Sequence, residues 1–303
     1  MKKIYLILPI ICGILSGSSG VFVRGLSENG IDPMTLLFLR FSIGILVLLI
    51  AIVLYDKSLL KIKLKDFKLF IIPAICIIGI NISYNEAMKN IPLSLAAVLL
   101  SSAPIFVIIL AYIVFGEKIS SKKVISIIFV ILGCILTSGL LEGNVFDIDV
   151  IGIAEGIGAA LFIAIYTITS KRYLDEGFHI YTVLLYSITI ISILLIPFTD
   201  FGQINLYVNS NIAFNVLFLI LHSTLSFALP YVLLTISLRY IDVGITSIYI
   251  SGAEPLAALL FGMIMYEEIP TFLMIIGIIL TILAITNILI KISSIRDIIP
   301  FDL

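Results

Sequence analysis

A glutamate and a proline stand side by side in a long apolar stretch near the end of the chain, at Glu254 and Pro255. The stretch begins near Val243. At 1.5 Å per residue the carboxyl group would therefore lie about 16 Å along a helix, in the middle of a bilayer. The helix face that carries Glu254 is small or polar throughout: Gly244, Ser247, Ser251 and Ala258. The opposite face carries bulky apolar residues: Ile248, Leu256, Leu259 and Phe261. We therefore expect Glu254 to point into the protein, as ionisable groups within membranes usually do.

A carboxyl group at this depth has two chemical uses. Removal from water favours its neutral form, so Glu254 could gain and lose a proton near neutral pH, or neutralise an amino or guanidinium group of a bound molecule. A structural alternative is a protonated Glu254 that hydrogen-bonds a neighbour and fixes a kink. Pro255 lacks an N–H and frees the carbonyl of Ser251, and Pro104 acts in the same way beside Ser101. These features predict two weakened helices, with Pro104 and Pro255 as kink or gating positions and with Ser101 and Ser251 in the site.

Further polar side chains fall at the predicted midplane and in the outer half of the membrane: Asn81, Tyr84, His222 and Tyr249. We expect them to contribute to a substrate or proton site. For His222 the alternative is a core histidine, and for the tyrosines it is simple packing. Arg40 lies about two turns into its helix, and we expect it to form a buried ion pair with Glu86, because charges inside a membrane usually find partners.

The composition shows which elements must position these residues. Of the 303 residues, 61% are hydrophobic and only 12% are charged, and apolar stretches of membrane-spanning length recur along the whole chain. We predict an all-α integral membrane protein in contact with the lipid bilayer. The ten predicted spans are residues 4–24, 34–55, 69–88, 92–115, 122–141, 150–171, 180–198, 213–238, 243–265 and 271–291.

The basic residues predict the orientation of these spans. With both termini in the cytoplasm, 15 lysine and arginine residues fall in inside segments, and Arg24 and Lys89 fall outside. Such a bias follows the positive-inside rule. We therefore expect a multi-pass protein of the cell (inner or plasma) membrane.

The chain also repeats itself at an offset of about 150 residues. Ala87–Ser120 is similar to Ser237–Pro270. In this alignment Glu117 corresponds to Glu267, and Pro104 corresponds to Pro255 after a shift of one residue. Because five spans is an odd number, the second copy would cross the membrane in the opposite direction. Inverted repeats with helix breakers at matching positions are typical of alternating-access transporters. We predict one repeat at 1–141, a second at 148–292 and a cytoplasmic tail at 293–303.

Three stretches carry a resemblance to a known family: PMTLLFLRF from Pro33, IPLSLAAVLLSSAPIFVIILAYIVFGEKIS from Ile91, and EPLAALLFGMIMYEEIP from Glu254. In their order and spacing they resemble the EamA-type branch of the drug/metabolite transporter (DMT) superfamily. The resemblance implies ten helices around a central cavity and the movement of small metabolites, commonly amino acids going outward. It does not imply one substrate.

Nucleotide-binding and hydrolytic motifs (GxxxxGK[ST], HExxH and GxSxG) do not occur in the sequence. We therefore predict a secondary transporter, without enzymatic activity or a cofactor, that exports amino acids or similar small amphipathic metabolites. It would be a monomer or homodimer with no nucleic-acid partner, and proton coupling would run through Glu254. Efflux of lipophilic or organic cations is an alternative, and a non-transporting membrane scaffold or receptor is a rival of a different class.

Overall fold

The structure is a computed structural model that describes residues 5–91, 93–138, 140–141, 149–267 and 269–294. Its elements are helical throughout these ranges. The helices are α1 (Ile7–Gly17 and Ser19–Glu28), α2 (Pro33–Tyr55), α3 (Ile71–Asn90), α4 (Leu93–Leu100 and Ala103–Phe115), α5 (Ser121–Thr137), α6 (Val150–Asp175), α7 (Ile180–Leu195), α8 (Phe201–Ser210), α9 (Ile212–Ser223 and Leu229–Tyr240), α10 (Val243–Tyr266) and α11 (Phe272–Ser294). Most of the predicted tail, residues 295–303, lies outside the described residues.

Side-chain caps fix where many helices begin. A side-chain oxygen accepts a hydrogen bond from a backbone N–H of the first turn at several helix starts, among them those of α2, α5, α6, α8 and α10: Asp32, Ser120, Asp149, Asp200 and Asp242. Such a bond satisfies a donor that has no partner inside the helix. Asp32, Asp149 and Asp242 stand at predicted span edges, and the observed helices α2, α6 and α10 begin within one residue of the predicted starts.

Eight helices among the described residues are long and apolar enough to cross a membrane: α1, α2, α3, α4, α6, α7, α9 and α10, some with a few adjoining residues. Their outward faces carry exposed apolar side chains such as Leu46, Ile50 and Leu54, as expected of surfaces that meet lipid. The predicted fifth and tenth spans correspond to α5, which has 17 residues, and α11, whose described apolar part is Phe272–Asn287.

Three spans among the described residues are interrupted or changed in their winding. The helix of α1 breaks at Ser18, α4 breaks at Ser101 and Ser102, and α9 contains a π-helical turn at Thr224–Ala228. By contrast, α10 runs without a break through Pro255. The two prolines therefore differ in their setting, and a kink or gate at either of them stays a prediction. Pro104 lies in the first turn of a new helical segment, where a missing N–H costs nothing, whereas Pro255 lies inside a continuous helix.

The packing of the helices follows a regular pattern. Helix α1 packs against α9 and α10, while α6 packs against α3 and α4; α2 meets α7, α4 meets α10, and α5 meets α11. Glycines mediate the closest approaches, with Gly13 and Gly17 of α1 against α10 and Gly133 of α5 against Gly277 of α11. Small residues allow helix backbones to come together in this way.

Helix α8 was not predicted, since its residues were assigned to a long connection. It is tied to the start of α2, because Gln203 accepts a hydrogen bond from the Asp32 N–H at 2.9 Å and the Thr35 hydroxyl oxygen accepts one from the Asp200 N–H at 2.8 Å. Phe201 and Leu206 remain exposed on its other side. The helix therefore closes one end of the bundle between α2 and α9.

Candidate functional site

Glu254 lies deep in the bundle and yet keeps part of its side-chain surface accessible. Arg40 of α2, Tyr84 of α3 and Tyr231 of α9 share this combination of depth and partial exposure. All three lie within electrostatic range of the Glu254 carboxyl group. Each of these four side chains keeps some accessible surface. These four residues are called the central site below.

Cysteines of two further helices face the same carboxyl group. Cys12 of α1 and Cys134 of α5 both lie within electrostatic range of Glu254. The Cys12 thiol donates a hydrogen bond to the Pro230 carbonyl at 3.2 Å, which links α1 to α9. Side chains from α1, α2, α3, α5 and α9 therefore lie within electrostatic range of Glu254, which places its carboxyl group near the middle of the bundle.

Two glycines of α1 set the position of the Glu254 backbone. A Cβ atom at Gly13 would lie 2.6 Å from the Ile250 carbonyl oxygen and 3.1 Å from the Glu254 nitrogen. At Gly17 it would collide with the Glu254 carbonyl oxygen and lie 2.8 Å from the Ala257 Cβ. Real Cβ atoms essentially never approach other atoms so closely, so only glycine fits. By contrast, a Cβ atom at Gly20 would meet no described atom within 4 Å.

Arg40 is held by the π-helical turn of α9. One guanidinium N–H donates to the Ser226 carbonyl at 2.5 Å, and the guanidinium carbon lies 5.3 Å from the centre of the Phe227 ring. A π-helical turn changes the regular backbone hydrogen bonding and often marks a functional site. Among the described residues, the enclosed Nε of Arg40 has no hydrogen-bond partner. The turn therefore fixes one edge of the guanidinium and leaves other N–H groups free.

His222 lies one turn before this interruption and supports it. Its Nδ1 is 2.8 Å from the Ser226 hydroxyl, which also donates to the His222 carbonyl at 2.6 Å. The ring is fully buried near Phe22, and its Nε2 has no partner. His222 lies within electrostatic range of Arg40. His222 therefore lies near Arg40 on the side of the π-helical turn. Its proposed contribution to a proton site stays a prediction.

The expected Arg40–Glu86 ion pair is wrong. Glu86 pairs with Lys89 at 2.5 Å near the end of α3, where both side chains are at least one-third exposed. Arg40 instead faces α9 and Glu254, because the π-helical turn presents a carbonyl to it. Glu86 is thus an interfacial residue outside the central site, which leaves Glu254 as the carboxylate that faces Arg40.

Tyr249 is a second correction. It is fully buried, its hydroxyl has no partner, and it packs in a cluster that includes Ile248, Cys134 and Ala284. The face of α10 opposite Glu254 was expected to be a bulky outer face, but α5 and α11 cover it and bury Ile248. Tyr249 therefore acts in the core and does not line the site.

The remaining predicted site residues have local partners. Asn81 donates its side-chain amide to the Ile77 carbonyl at 2.7 Å and lies one turn before Tyr84 on α3. The Ser101 hydroxyl donates to the Ala97 carbonyl at 2.9 Å, where α4 breaks. Ser251 lies one turn before Glu254 and is half-buried. Their predicted contacts with a substrate stay predictions.

Aromatic side chains bound the central site on the side of α6 and α9. The Tyr166 and Tyr231 rings meet edge to face at 5.1 Å, and Tyr231 lies 4.8 Å from Phe227. Tyr166 also lines a small cavity with Ser170 and Thr235. Tyr231 was not predicted as a site residue, since tyrosines in apolar helices usually pack or lie at interfaces.

A separate ionic cluster lies at the beginning of α10 and was not predicted. Lys123 of α5 is buried and lies 3.3 Å from a Glu117 carboxylate oxygen and 2.7 Å from an Asp242 carboxylate oxygen. Glu117 also accepts hydrogen bonds from the backbone N–H groups of Val243, at 2.8 Å, and Gly244, at 3.4 Å. Burial, and then the nearby Asp242 carboxyl group, raise the pKa of Glu117 above its usual value. This Lys123–Glu117–Asp242 cluster fastens the α4–α5 connection to the start of α10.

The residues that follow α4 and α10 correct the alignment of the two repeats. Gly116 directly follows α4 and Glu267 directly follows α10, and both residues are left-handed, with φ of 69° and 55°. They are 151 residues apart, as are Pro104 and Pro255. Glu267 therefore aligns with Gly116 and not with Glu117, and it stands at a helix end where the first copy has glycine.

Within the described residues, no three His, Cys, Asp or Glu side chains form a group that could hold a metal ion.

Apolar helices with exposed apolar faces, packed around a few deep polar groups, define a multi-pass membrane protein. Residues 3–139 and 150–290 each match the EamA-like transporter family. The chain belongs to this family, a membrane transporter family of the DMT type, as the sequence resemblance predicted.

Curated relatives agree with this assignment. An uncharacterized transporter of Clostridium kluyveri is 26% identical over 204 residues, which are 65% of this chain and 65% of that protein. Two uncharacterized transporters of Archaeoglobus fulgidus are 32% identical over 50% of this chain and 51% of theirs, and 25% identical over 88% and 90%. The first two matches thus span about two-thirds and one-half of the relatives' lengths.

A solved structure supports the fold. A protein crystal structure superposes with a TM-score of 0.80 at 16% sequence identity, covering 98% of this chain and 100% of the other. At this identity the likeness concerns the fold alone.

Proposed function

We propose that this protein is a secondary active transporter, and not an enzyme, that exports amino acids or similar small amphipathic metabolites by alternating access. The observation that carries the proposal is the central site: a carboxyl group deep in a bundle of membrane helices, faced by side chains from five of them and still partly accessible. Ionisable groups at this depth are costly to keep and usually mark a transport pathway. Membership of a transporter family supports the same conclusion.

The architecture proposed for this function has ten spans in two inverted repeats, residues 1–141 and 148–292, around the central site. Here α5 and α11 complete the ten. The packing supports this arrangement, because exchanging each span with its counterpart in the other repeat maps most of the contacts between helices onto one another. The contacts of α6 with α3 and α4 become those of α1 with α9 and α10, and the α2–α7, α4–α10 and α5–α11 contacts map onto themselves. Two related halves that pack symmetrically can rock about a shared site.

The ionic cluster would act at the cytoplasmic end, with both termini also in the cytoplasm of a cell-membrane protein. It joins the first repeat, through Lys123 and Glu117, to the second, through Asp242 and the α10 backbone. Opening of the central site toward that end requires these contacts to separate. The cluster is therefore the contact expected to form and break as the halves rock.

Proton coupling would run through Glu254. A carboxyl group removed from water favours its neutral form, so it takes up a proton when its charged partner leaves. A proton entering from outside would replace the substrate cation at Glu254, and binding of the next substrate would release that proton inside. Substrate export and proton entry would then alternate on one group.

Proteoliposomes loaded with a pH-sensitive dye test this proposal. They are challenged with a pool of amino acids and, separately, with a pool of organic cations, using the unmodified protein, Glu254→Gln and the control Glu155→Gln. Glu155 is a half-buried carboxylate that accepts a hydrogen bond from the Asn90 side chain at 3.3 Å. It is not among the described groups that influence Glu254 electrostatically. We expect a pH change that depends on amino acids, disappears in Glu254→Gln and persists in Glu155→Gln.

Three results would count against it. If labelled amino acids cross without a pH change in both the unmodified protein and Glu254→Gln, coupling through Glu254 is wrong. If only the organic cations move, the substrate class is wrong. If no solute moves, the protein is not a transporter of either class, and a scaffold or receptor role is favoured.

A further inference from the structure

The central site holds two opposite charges that do not neutralise each other by direct contact. Among the described residues, no carboxylate oxygen lies within 4.0 Å of an Arg40 nitrogen, although Glu254 lies within electrostatic range. The other described ion pairs close to 3.3 Å or less, near helix ends. Arg40 and Glu254 are therefore a separated pair, which is costly at this depth unless something else completes it.

Arg40 is built to bind an anion. The Ser226 carbonyl and the Phe227 ring hold the guanidinium in place. The enclosed Nε has no acceptor. An unsatisfied buried donor is unusual enough to require a reason, and a carboxylate is the group that matches the fork of a guanidinium. His222 does not supply it, because its ring contacts Ser226 and its Nε2 is itself unpaired.

Glu254 is the complementary partner for a cation. Arg40 is the only charged group that influences its carboxyl group electrostatically among the described residues. Tyr84 lies within electrostatic range of Glu254, and Tyr231 lies within range of both charges. The two tyrosines can pack against the apolar part of a bound molecule while the charged residues hold its two ends.

Resting on the proposed transport function, we infer that Arg40 and Glu254 form a split-charge site for zwitterions. Arg40 binds the α-carboxylate of an amino acid and Glu254 binds its α-ammonium group. A simple amine leaves Arg40 unpaired, and a simple carboxylate leaves Glu254 unpaired. The site selects molecules that carry both charges, because a buried charge without a partner is strongly unfavourable.

Two series of compounds that share an apolar group test this selection. The first is L-leucine, 3-methylbutylamine and 4-methylpentanoate; the second is L-phenylalanine, phenethylamine and 3-phenylpropionate. Binding is measured on purified protein in detergent by thermal stabilisation, and transport is measured in proteoliposomes. We expect at least one amino acid to bind tenfold or more tightly than both of its single-charge analogues.

Variants assign the two charges to the two ends of the ligand. Arg40→Gln should abolish the advantage of the amino acid over the amine and leave amine binding within about twofold. Glu254→Gln should abolish its advantage over the carboxylate. Equal loss for all three compounds in both variants would show that the residues only neutralise each other. Amine binding equal to amino-acid binding in the unmodified protein would also overturn the inference.

Single variants leave one buried charge and can fail to fold, so the double variant Arg40→Gln/Glu254→Gln provides a charge-balanced protein. It should fold and bind all three compounds with similar, weak affinity. Persisting preference for the amino acid in the double variant would refute the split-charge site. If other solutes are carried while none of the six compounds binds, the inference fails and the proposed transport function stands.

Discussion

The close approach of α1 to α10 gives a sharp prediction about how Glu254 is positioned. In Gly17→Ala the new methyl group would collide with the Glu254 carbonyl oxygen and lie 2.8 Å from the Ala257 Cβ, where ordinary contacts begin at 3.4 Å. The helices must therefore separate by about half an ångström or more. Overpacking of this kind costs about 1–3 kcal/mol, and the upper part of this range applies because the obstructing atoms belong to a backbone.

The helix-forming preference of alanine offsets part of this cost, by about 1 kcal/mol. Gly17→Ala should therefore be destabilised by about 1–2 kcal/mol net, or roughly 2–6 °C in the melting temperature. Gly20→Ala is the matched control, because the same change three residues later meets no atom within 4 Å. It should be unchanged or more stable by up to about 1 kcal/mol.

Transport distinguishes displacement of Glu254 from a general loss of stability. A shift of the Glu254 backbone should lower the rate of proton-coupled transport by about tenfold, since misplaced groups lose efficiency steeply. Gly20→Ala should transport at the normal rate. Melting temperatures and rates that are the same in Gly17→Ala and Gly20→Ala would refute the proposed contact between α1 and α10.

Three further predictions concern the ionic cluster and the core. Lys123→Gln should destabilise the protein by about 1–3 kcal/mol in thermal unfolding, since it leaves two half-buried carboxylates without their cation, whereas Lys122→Gln should have little effect; equal losses would argue against a specific cluster. Burial and Asp242 raise the pKa of Glu117 above its reference value of 4.5, so the folded protein binds this proton more tightly than the unfolded chain does. The melting temperature should therefore fall as the pH rises from 4.5 through the raised pKa, and a decline that Glu117→Gln does not reduce would contradict this assignment. Tyr249→Phe removes a buried hydroxyl without a partner, so the protein should keep its transport rate and be unchanged or about 1 kcal/mol more stable; a loss of transport would restore Tyr249 to the site.

The sequence predicted the elements that depend on local chemistry. Apolar runs bounded by Asp32, Asp149 and Asp242 gave the starts of α2, α6 and α10, because capping and hydropathy act within a few residues. The depth of Glu254 followed from counting residues along one helix. Partners across helices did not follow, since they depend on how the spans pack. Arg40 was therefore assigned to Glu86, although the structure places it beside α9.

Interruptions of regular helix were equally hard to predict. No proline or glycine lies within the π-helical turn at Thr224–Ala228, yet its Ser226 carbonyl orients Arg40. The Lys123–Glu117–Asp242 cluster was also missed, because lysines at the start of α5 were explained fully by membrane orientation. Asp242 was recognisable from the sequence as a helix cap, but a capping residue need not also bind a lysine. The pairing with Lys123 could therefore not be predicted.

Neither charged residue of the central site has a charged counterpart at the matching position of the other repeat. At the offset of 151 residues Glu254 answers Ala103, so the first repeat supplies no carboxylate. The part of α7 that answers Arg40, residues 188–191, is Ile-Thr-Ile-Ile and supplies no cation. The first repeat thus contributes the positive charge and the second the negative one. If the halves rock as proposed, the separation of Arg40 and Glu254 changes with each cycle, and a zwitterion fits only at one separation. Divergence at these two positions therefore converts a symmetric scaffold into a site whose affinity depends on conformation, which is what coupled transport requires.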